Sequence, residues 1–211
     1  MNQKFLPTIS NSMTKLLFAT NNLHKIEEIQ AAIGQFIEVI GLKDAGILID
    51  IPEPHDTLEE NATEKSKTIF KLTGINCFSE DTGLEIGALN GEPGVKSARY
   101  AGDNRSSEDN TDKVLTKLEG AFNRKARFRT VISLIWEGRE HLFEGTCEGE
   151  IARGRKGTGG FGYDPVFLPS GSSRTFGEMT QEEKNRFSHR KKAAGKLVLF
   201  LQEQGKLSAN N

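Results

Sequence analysis

The sequence predicts an α/β fold: a long mixed central sheet with helices. Three observations carry this. Strand-like and helix-like stretches mix along the whole chain rather than segregating. Two capping boxes, Thr57–Glu60 and Thr180–Glu183, mark helix starts. Two long strand patterns stand side by side across a Glu137-Gly138 turn.

Taken in order, residues 1–14 read as a loose extension, and residues 15–205 as one domain. "KLLFAT" (15–20) is a short apolar run halted by Asn21-Asn22, hence a buried strand. In "LHKIEEIQAAIG", Ile26, Ile29 and Ile33 fall at helical spacing and Gly34 supplies the stop. "FIEVIGL" is a second strand, followed by a loop over 41–56 that carries Pro52 and Pro54. The first capping box opens a helix to about Leu72. "INCFSED" reads as a strand ending in two acids, "LNGEPGV" as turn chemistry, and Ser107–Leu118 as a helix. "ARFRTVISLIW" and "REHLFEGTCEGEI" are the paired antiparallel strands, and "RGRKGTGGFGYDP" is a glycine-rich loop. After the second capping box a last helix runs to about Gln202, with Ala194, Leu197, Val198 and Leu201 as its apolar stripe and Ser188 as an N-cap.

Bulk properties exclude several classes. A formal net charge of −1 over 211 residues gives no overall field for nucleic acid or a membrane surface. No apolar run is long enough to span a bilayer, and the N-terminal stretch lacks the apolar core of a signal peptide. Cys77 and Cys147 are too few for a disulfide framework and have no metal spacing, so a reducing cytoplasmic setting is expected. Gly195-Lys196 lacks the upstream glycine and the following hydroxyl of a P-loop, and the glycine-rich loop does not open a helix after a strand as a dinucleotide fingerprint would.

Four stretches carry chemistry. Thr20 to Lys25, "TNNLHK", sits at a strand-to-helix turn, where backbone N–H groups and a lysine one turn on can cradle phosphate. The plain alternative is that Thr and Asn only cap the helix. Glu80 and Asp81, with Thr82 after them, form an acidic pair suited to a metal or a proton, with Glu53 as partner; the alternative is an acidic turn. "GTGGFGYDP" lets backbone approach a flat ligand and supplies Phe161 to stack on it, with Gly162, Tyr163 and Asp164 beside it; a glycine-rich hairpin would explain only the glycines. Lys184, His189 and Arg190 gather where a helix begins, against the preference of a helix N-terminus for anions. They call for an acceptor-rich visitor, or else form a solvated basic face.

Together these stretches describe a nucleotide site. Their order resembles the inosine triphosphate pyrophosphatases: "TNNLHK", "ENA" at 60–62, "SEDTGLEI", "GEPGVKSARYAG", "GTGGFGYDPVF" and "EEKNRFSHR", spanning about 15–203. The family usually has glycine where this chain has Asn21. The resemblance implies a homodimeric cytosolic enzyme with an active-site cleft between two lobes. It implies Mg²⁺-dependent hydrolysis of ITP, dITP and XTP to the monophosphate and pyrophosphate. Lys25, Thr20 and Asn22 would hold the triphosphate, and Asp81 would activate the attacking water and share Mg²⁺ with Glu53. Phe161 would stack on the base, and Lys184, His189 and Arg190 would read its edge. Asn21, Thr82, Gly162, Tyr163 and Asp164 complete the expected binding set. Two rivals are a Maf-like nucleotide pyrophosphatase and a non-catalytic nucleotide or RNA-binding module using "SHRKK".

Overall fold

A computed structural model describes residues 14–34 and 37–205. The expected N-terminal extension, apart from Thr14, lies outside the described residues, as does Phe36 of the second expected strand.

Among the described residues, seven strands, β1 (Thr14–Phe18), β2 (Ile37–Gly41), β3 (Cys77–Ile86), β4 (Pro93–Gly94), β5 (Lys125–Trp136), β6 (Arg139–Ile151) and β7 (Phe167–Pro169), form one mixed sheet in the order β2-β1-β3-β5-β6-β7, with the short β4 on β3. β1 (Thr14–Phe18) pairs in parallel with β2 (Ile37–Gly41) on one side and with β3 (Cys77–Ile86) on the other. Helix α1 (Leu23–Ile33) connects β1 to β2, and α2 (Leu58–Thr73) leads from the loop after β2 into β3. The chain therefore leaves β1 in one direction and returns on its other side. The crevice at the carboxyl end of such a strand is where α/β sheets generally take ligands.

The expected hairpin is β5 (Lys125–Trp136) and β6 (Arg139–Ile151), joined at Glu137-Gly138 with Trp136 opposite Arg139. β3 pairs antiparallel with β5 over its whole length. That corrects one reading: Glu80 and Asp81 are not at a strand end but in mid-strand, because "CFSEDTGLEI" keeps pairing to Ile86. β4 (Pro93–Gly94) and β7 (Phe167–Pro169) add short pairings, and α3 (Ser107–Lys117) follows the expected span. The second capping box opens only a five-residue helix, α4 (Gln181–Asn185), and Ser188 then caps a separate α5 (His189–Glu203) by accepting from the N–H of Lys191.

β3 and β5 carry two hydrophobic cores. At one end Phe78, Ile132 and Leu134 pack with Phe18, with Ile29 and Ile33 of α1, and with Leu197, Val198 and Leu201 of α5. At the other, Leu84, Ile86, Ala126 and Phe128 pack with Val114 of α3 and Leu118 just after it, and with Tyr163, Phe167 and Phe176. α2 covers the opposite sheet face at the first end through Leu58, Ala62 and Ile69. Two lobes thus share the same strands, and the polar run Ser79–Thr82 lies between the cores.

Candidate functional site

β1 stops at Phe18 after pairing with β3 only at Cys77 and Phe78, and β4 meets β3 only at Leu84 and Glu85. Among the described residues the edge of β3 between them has no strand partner, and a cleft of about 440 Å³ opens there. Of the residues singled out from the sequence, Thr20, Asn21, Asn22, Lys25, Glu53, Asp81, Thr82, Phe161, Gly162, Tyr163, Asp164, Lys184, His189 and Arg190 line it, and Glu80 does not.

Successive side chains on a strand point to opposite faces. Asp81 therefore turns toward α2 and Glu80 toward α1 and α5. They are not a pair, which corrects the reading of them as one acidic unit. Asp81 Oδ1 accepts from Lys65 Nζ at 3.2 Å, and the same ammonium donates to Glu53 Oε1 at 2.7 Å. Arg99 Nη2 donates to Glu53 Oε2 at 2.8 Å. Asp81 Oδ2 is buried with no hydrogen-bond partner among the described residues.

Burial raises the Asp81 pKa, and the cations Lys65 and Lys25 only partly oppose it. Glu53 is also held back by burial, but Lys65 and its other cations outweigh that and bring its pKa below the usual range. The difference has a structural cause: Glu53 receives two close charge-assisted bonds and Asp81 one longer bond. A proton arriving between them goes to Asp81. For Lys65 itself, burial would lower the pKa, but Asp81 and Glu53 prevail and keep the ammonium charged.

At the start of α1, Asn22 Oδ1 accepts from the Lys25 N–H at 3.1 Å, and Thr20 Oγ1 accepts from the Asn22 N–H at 3.2 Å. Capping is thus what their acceptor oxygens do, and each side chain keeps a donor for another group. Asn21 Nδ2 donates to the Ile49 carbonyl. Lys25 Nζ lies 3.2 Å from Glu80 Oε1.

Lys184 and Arg190 are buried, not solvated. Arg190 donates through Nε and Nη2 to both Glu80 oxygens, at 2.8 and 2.9 Å, and through Nη1 to Glu28. Its Nη2 also reaches Thr82 Oγ1 at 3.4 Å. Lys184 Nζ donates to Glu28 and Asp164, both at 2.6 Å. The acceptor-rich visitor inferred from these cations is, in this structure, largely the chain's own carboxylates. With five N–H groups on a guanidinium and three on an ammonium, Arg190 and Lys184 each keep one. His189 is stacked on Phe128 at 4.7 Å and buried, with Nδ1 unpartnered among the described residues. Burial, helped by the neighbouring cations, lowers its pKa and keeps it neutral.

Phe161 is flanked by the His24 ring at 5.3 Å, nearly parallel, and by Lys184 and Arg190 within 6 Å of its centroid. Asp164 Oδ2 accepts from the Phe161 N–H at 2.9 Å and fixes this turn. Gly160, at φ +73°, makes room for it, since a Cβ there would collide with the Asp164 carboxylate. Tyr163 is a core residue whose hydroxyl donates to the Ser97 carbonyl.

Sequence reasoning missed Lys65 and Glu28. Lys65 had a signal: it falls in register with Leu58, Ala62 and Ile69 on the buried face of α2, where a lone lysine is out of pattern. Glu28 gave no such signal, because beside Glu27 it reads as part of a solvated acidic face.

The fold and cleft define a mixed α/β protein whose cleft offers cations and carboxylates at one end and an aromatic ring with spare donors at the other. The chain belongs to the Ham1 family, matching it over residues 16–200. It is 49% identical over 190 residues to a protein of Porphyromonas gingivalis named dITP/XTP pyrophosphatase, covering 90% of this chain and 98% of that one. A Flavobacterium johnsoniae protein of the same name is 47% identical over 187 residues, with 89% and 97% covered. The solved structure of the Staphylococcus aureus Ham1 protein is similar at a TM-score of 0.82 and 40% identity, covering 90% of this chain and all (100%) of that one. A HAM1 protein from Coxiella burnetii reaches a TM-score of 0.81 at 38% identity, with 90% and 100% covered. No described helix is long and apolar enough to cross a membrane.

Proposed function

We propose that this chain hydrolyses non-standard purine nucleoside triphosphates, ITP, dITP and XTP, to the monophosphate and pyrophosphate, and so keeps deaminated purines out of DNA and RNA. The observation that carries this is Asp81: a buried carboxylate with one free oxygen, raised in basicity, in the same cleft as Lys25, Lys65 and an aromatic base platform. Relatives at 46–49% identity bear the name dITP/XTP pyrophosphatase.

Lys25 and Lys65 bind the triphosphate. Asp81 orients a water toward the α-phosphorus and accepts its proton as the water oxygen bonds to phosphorus. The bond from the α-phosphorus to the bridging oxygen breaks, and pyrophosphate leaves. Phe161 stacks on the base, and the remaining N–H groups of Lys184 and Arg190 donate to its carbonyl oxygens, with neutral His189 beside them. Donors left facing an amino group are unpaired, which disfavours adenine.

The donor set fits Mg²⁺. Asp81 Oδ2 is buried with no partner among the described residues, and a hard carboxylate oxygen beside Glu53 suits a cation that keeps waters and takes substrate oxygens. Glu53 and Asp81 would hold it, and the ion would neutralise charge on the triphosphate and leaving pyrophosphate. A homodimer in a reducing cytoplasm completes the reading; the two buried thiols, both pushed up in pKa by burial, suit that compartment.

The test is a panel of ITP, dITP, XTP, GTP, ATP, dUTP and UTP, with and without Mg²⁺, scored by pyrophosphate release. Fast Mg²⁺-dependent release from ITP, dITP and XTP alone is expected. Release from pyrimidine nucleotides alone, or none at all, would refute the proposal.

A further inference from the structure

One chain of alternating charges runs behind the cleft wall. It begins at Lys25, in the turn read as the phosphate cradle. It passes to Glu80 at 3.2 Å, then to Arg190 at 2.8 and 2.9 Å, and then to Glu28. From Glu28 it continues to Lys184 at 2.6 Å, to Asp164 at 2.6 Å, and to the Phe161 N–H at 2.9 Å. Every linking side chain from Glu80 to Asp164 is buried. The two ends of the proposed substrate site are thus joined by ionic contacts rather than by solvent.

Glu28 is the middle of that chain and does not itself line the cleft. Its two oxygens divide the work, Oε1 taking Lys184 and Oε2 taking Arg190. These are the two cations with one donor each to spare. α1 places Glu28 one turn after Lys25, on a rigid element whose start is fixed by the Asn22 cap. No other described carboxylate touches both cations.

We propose that Glu28 is a positioning residue for base choice: it fixes the spare N–H groups of Lys184 and Arg190 against the purine edge without contacting substrate. The proposal rests on the reading of the cleft as a purine nucleoside triphosphate site. A carboxylate that merely neutralised buried charge would support folding but would not set which base is accepted. The geometry goes further, because a fork holding two donors from two helices also fixes their spacing.

The experiment compares wild type with Glu28→Gln and Glu28→Asp in pyrophosphate release from dITP and dATP, measuring kcat and KM for each. The readout is the ratio of the two kcat/KM values, which does not change with the fraction of protein folded. Mispositioning of about an ångström can change rates by about 100-fold, so the ratio is expected to fall by roughly 10- to 100-fold in Glu28→Gln, mainly through a higher KM for dITP. Glu28→Asp keeps the charge but is one methylene too short to hold both cations at once. It should also lose selectivity, and it decides the matter if Glu28→Gln does not fold, as judged by circular dichroism. A folded variant that keeps the wild-type ratio overturns the proposal, even if both substrates slow together. Wild-type protein that releases no pyrophosphate from dITP would instead sink the functional reading, and this inference with it.

Discussion

Asp81 and Glu80 are adjacent in the chain, yet strand alternation sends one carboxylate to the α2 face and the other toward α1 and α5. Glu80 is fully engaged by Arg190 and Lys25, which hold it ionised against burial. It is a brace and has nothing left for a water. Asp81 keeps an oxygen and a raised pKa, and general-base catalysis is typically worth about 10²–10⁴-fold. Asp81→Asn should lose at least that much turnover at saturating Mg²⁺ while still binding nucleotide; near-normal turnover would remove Asp81 from the chemistry. Lys65 is the main cation lowering the Asp81 pKa. Lys65→Met should therefore move the acid limb of the kcat/KM profile to higher pH, because a base that loses its neighbouring cation holds its proton longer. A limb that stays put, or moves lower, would show that Lys65 does not set this pKa. The residue types of the site were legible in the sequence, since Asp81, Lys25 and Phe161 stand in unusual local company. Their bonding was not, because Arg190 and Glu28 are far apart in the chain and only folding shows which acid meets which base.

The helix starts were legible because caps are local: Asn22, Thr57, Ser106, Thr180 and Ser188 each accept from a backbone N–H three residues on. The length of β3 was not, because Glu80, Asp81 and Thr82 look like the end of a strand until β5 supplies partners for them. Nor was the close approach of α5 to β6. At Gly145 an added Cβ would fall inside the His189 carbonyl and the Ala193 N–H. No rotamer relieves that, because both obstacles are backbone. Gly145→Ala should push the start of α5 off the sheet, displacing His189 and Arg190. Overpacking of this kind costs about 1–3 kcal/mol. Thermal unfolding should report that loss, and KM for the purine substrate should rise with it. An alanine variant with unchanged stability and KM would mean that α5 shifts without carrying the site.

At the scale of the whole molecule, the cleft is where most of the buried charge is kept. Glu28 and Glu80 are ionised in the folded protein below the ordinary glutamate value, through Arg190 and the lysines that outweigh burial. Groups with lowered pKa values stabilise the fold above their unfolded value, and that support is lost as pH falls through the folded one. Stability should therefore decline on the acid side, from about pH 4.5 downward. Glu28→Gln removes one such group, so its unfolding free energy should fall less steeply with acid, from a baseline lowered by the loss of the carboxylate that Lys184 and Arg190 share, each of which keeps a second carboxylate in Asp164 and Glu80. Equal slopes for variant and wild type would show that Glu28 is not ionised in the fold.

The two cores share β3 and β5 without a break, and this limits how the cleft can move. Lobes joined by a loop can swing about a few backbone torsions. Here the bridge is a ladder of hydrogen bonds between Glu80–Thr82 and Thr130–Ile132. Any closing motion must bend or twist that ribbon, and its amplitude is expected to be smaller than a loop hinge would allow. On this connection the jaws are expected to act as a gauge of nearly fixed width rather than a trap that folds over its contents. The amide protons that bond β3 to β5 across this bridge should accordingly exchange with deuterated water only through global unfolding, at the slowest rates in the molecule, whether or not a nucleotide is present. Fast exchange there would reveal a hinge hidden in the middle of the sheet.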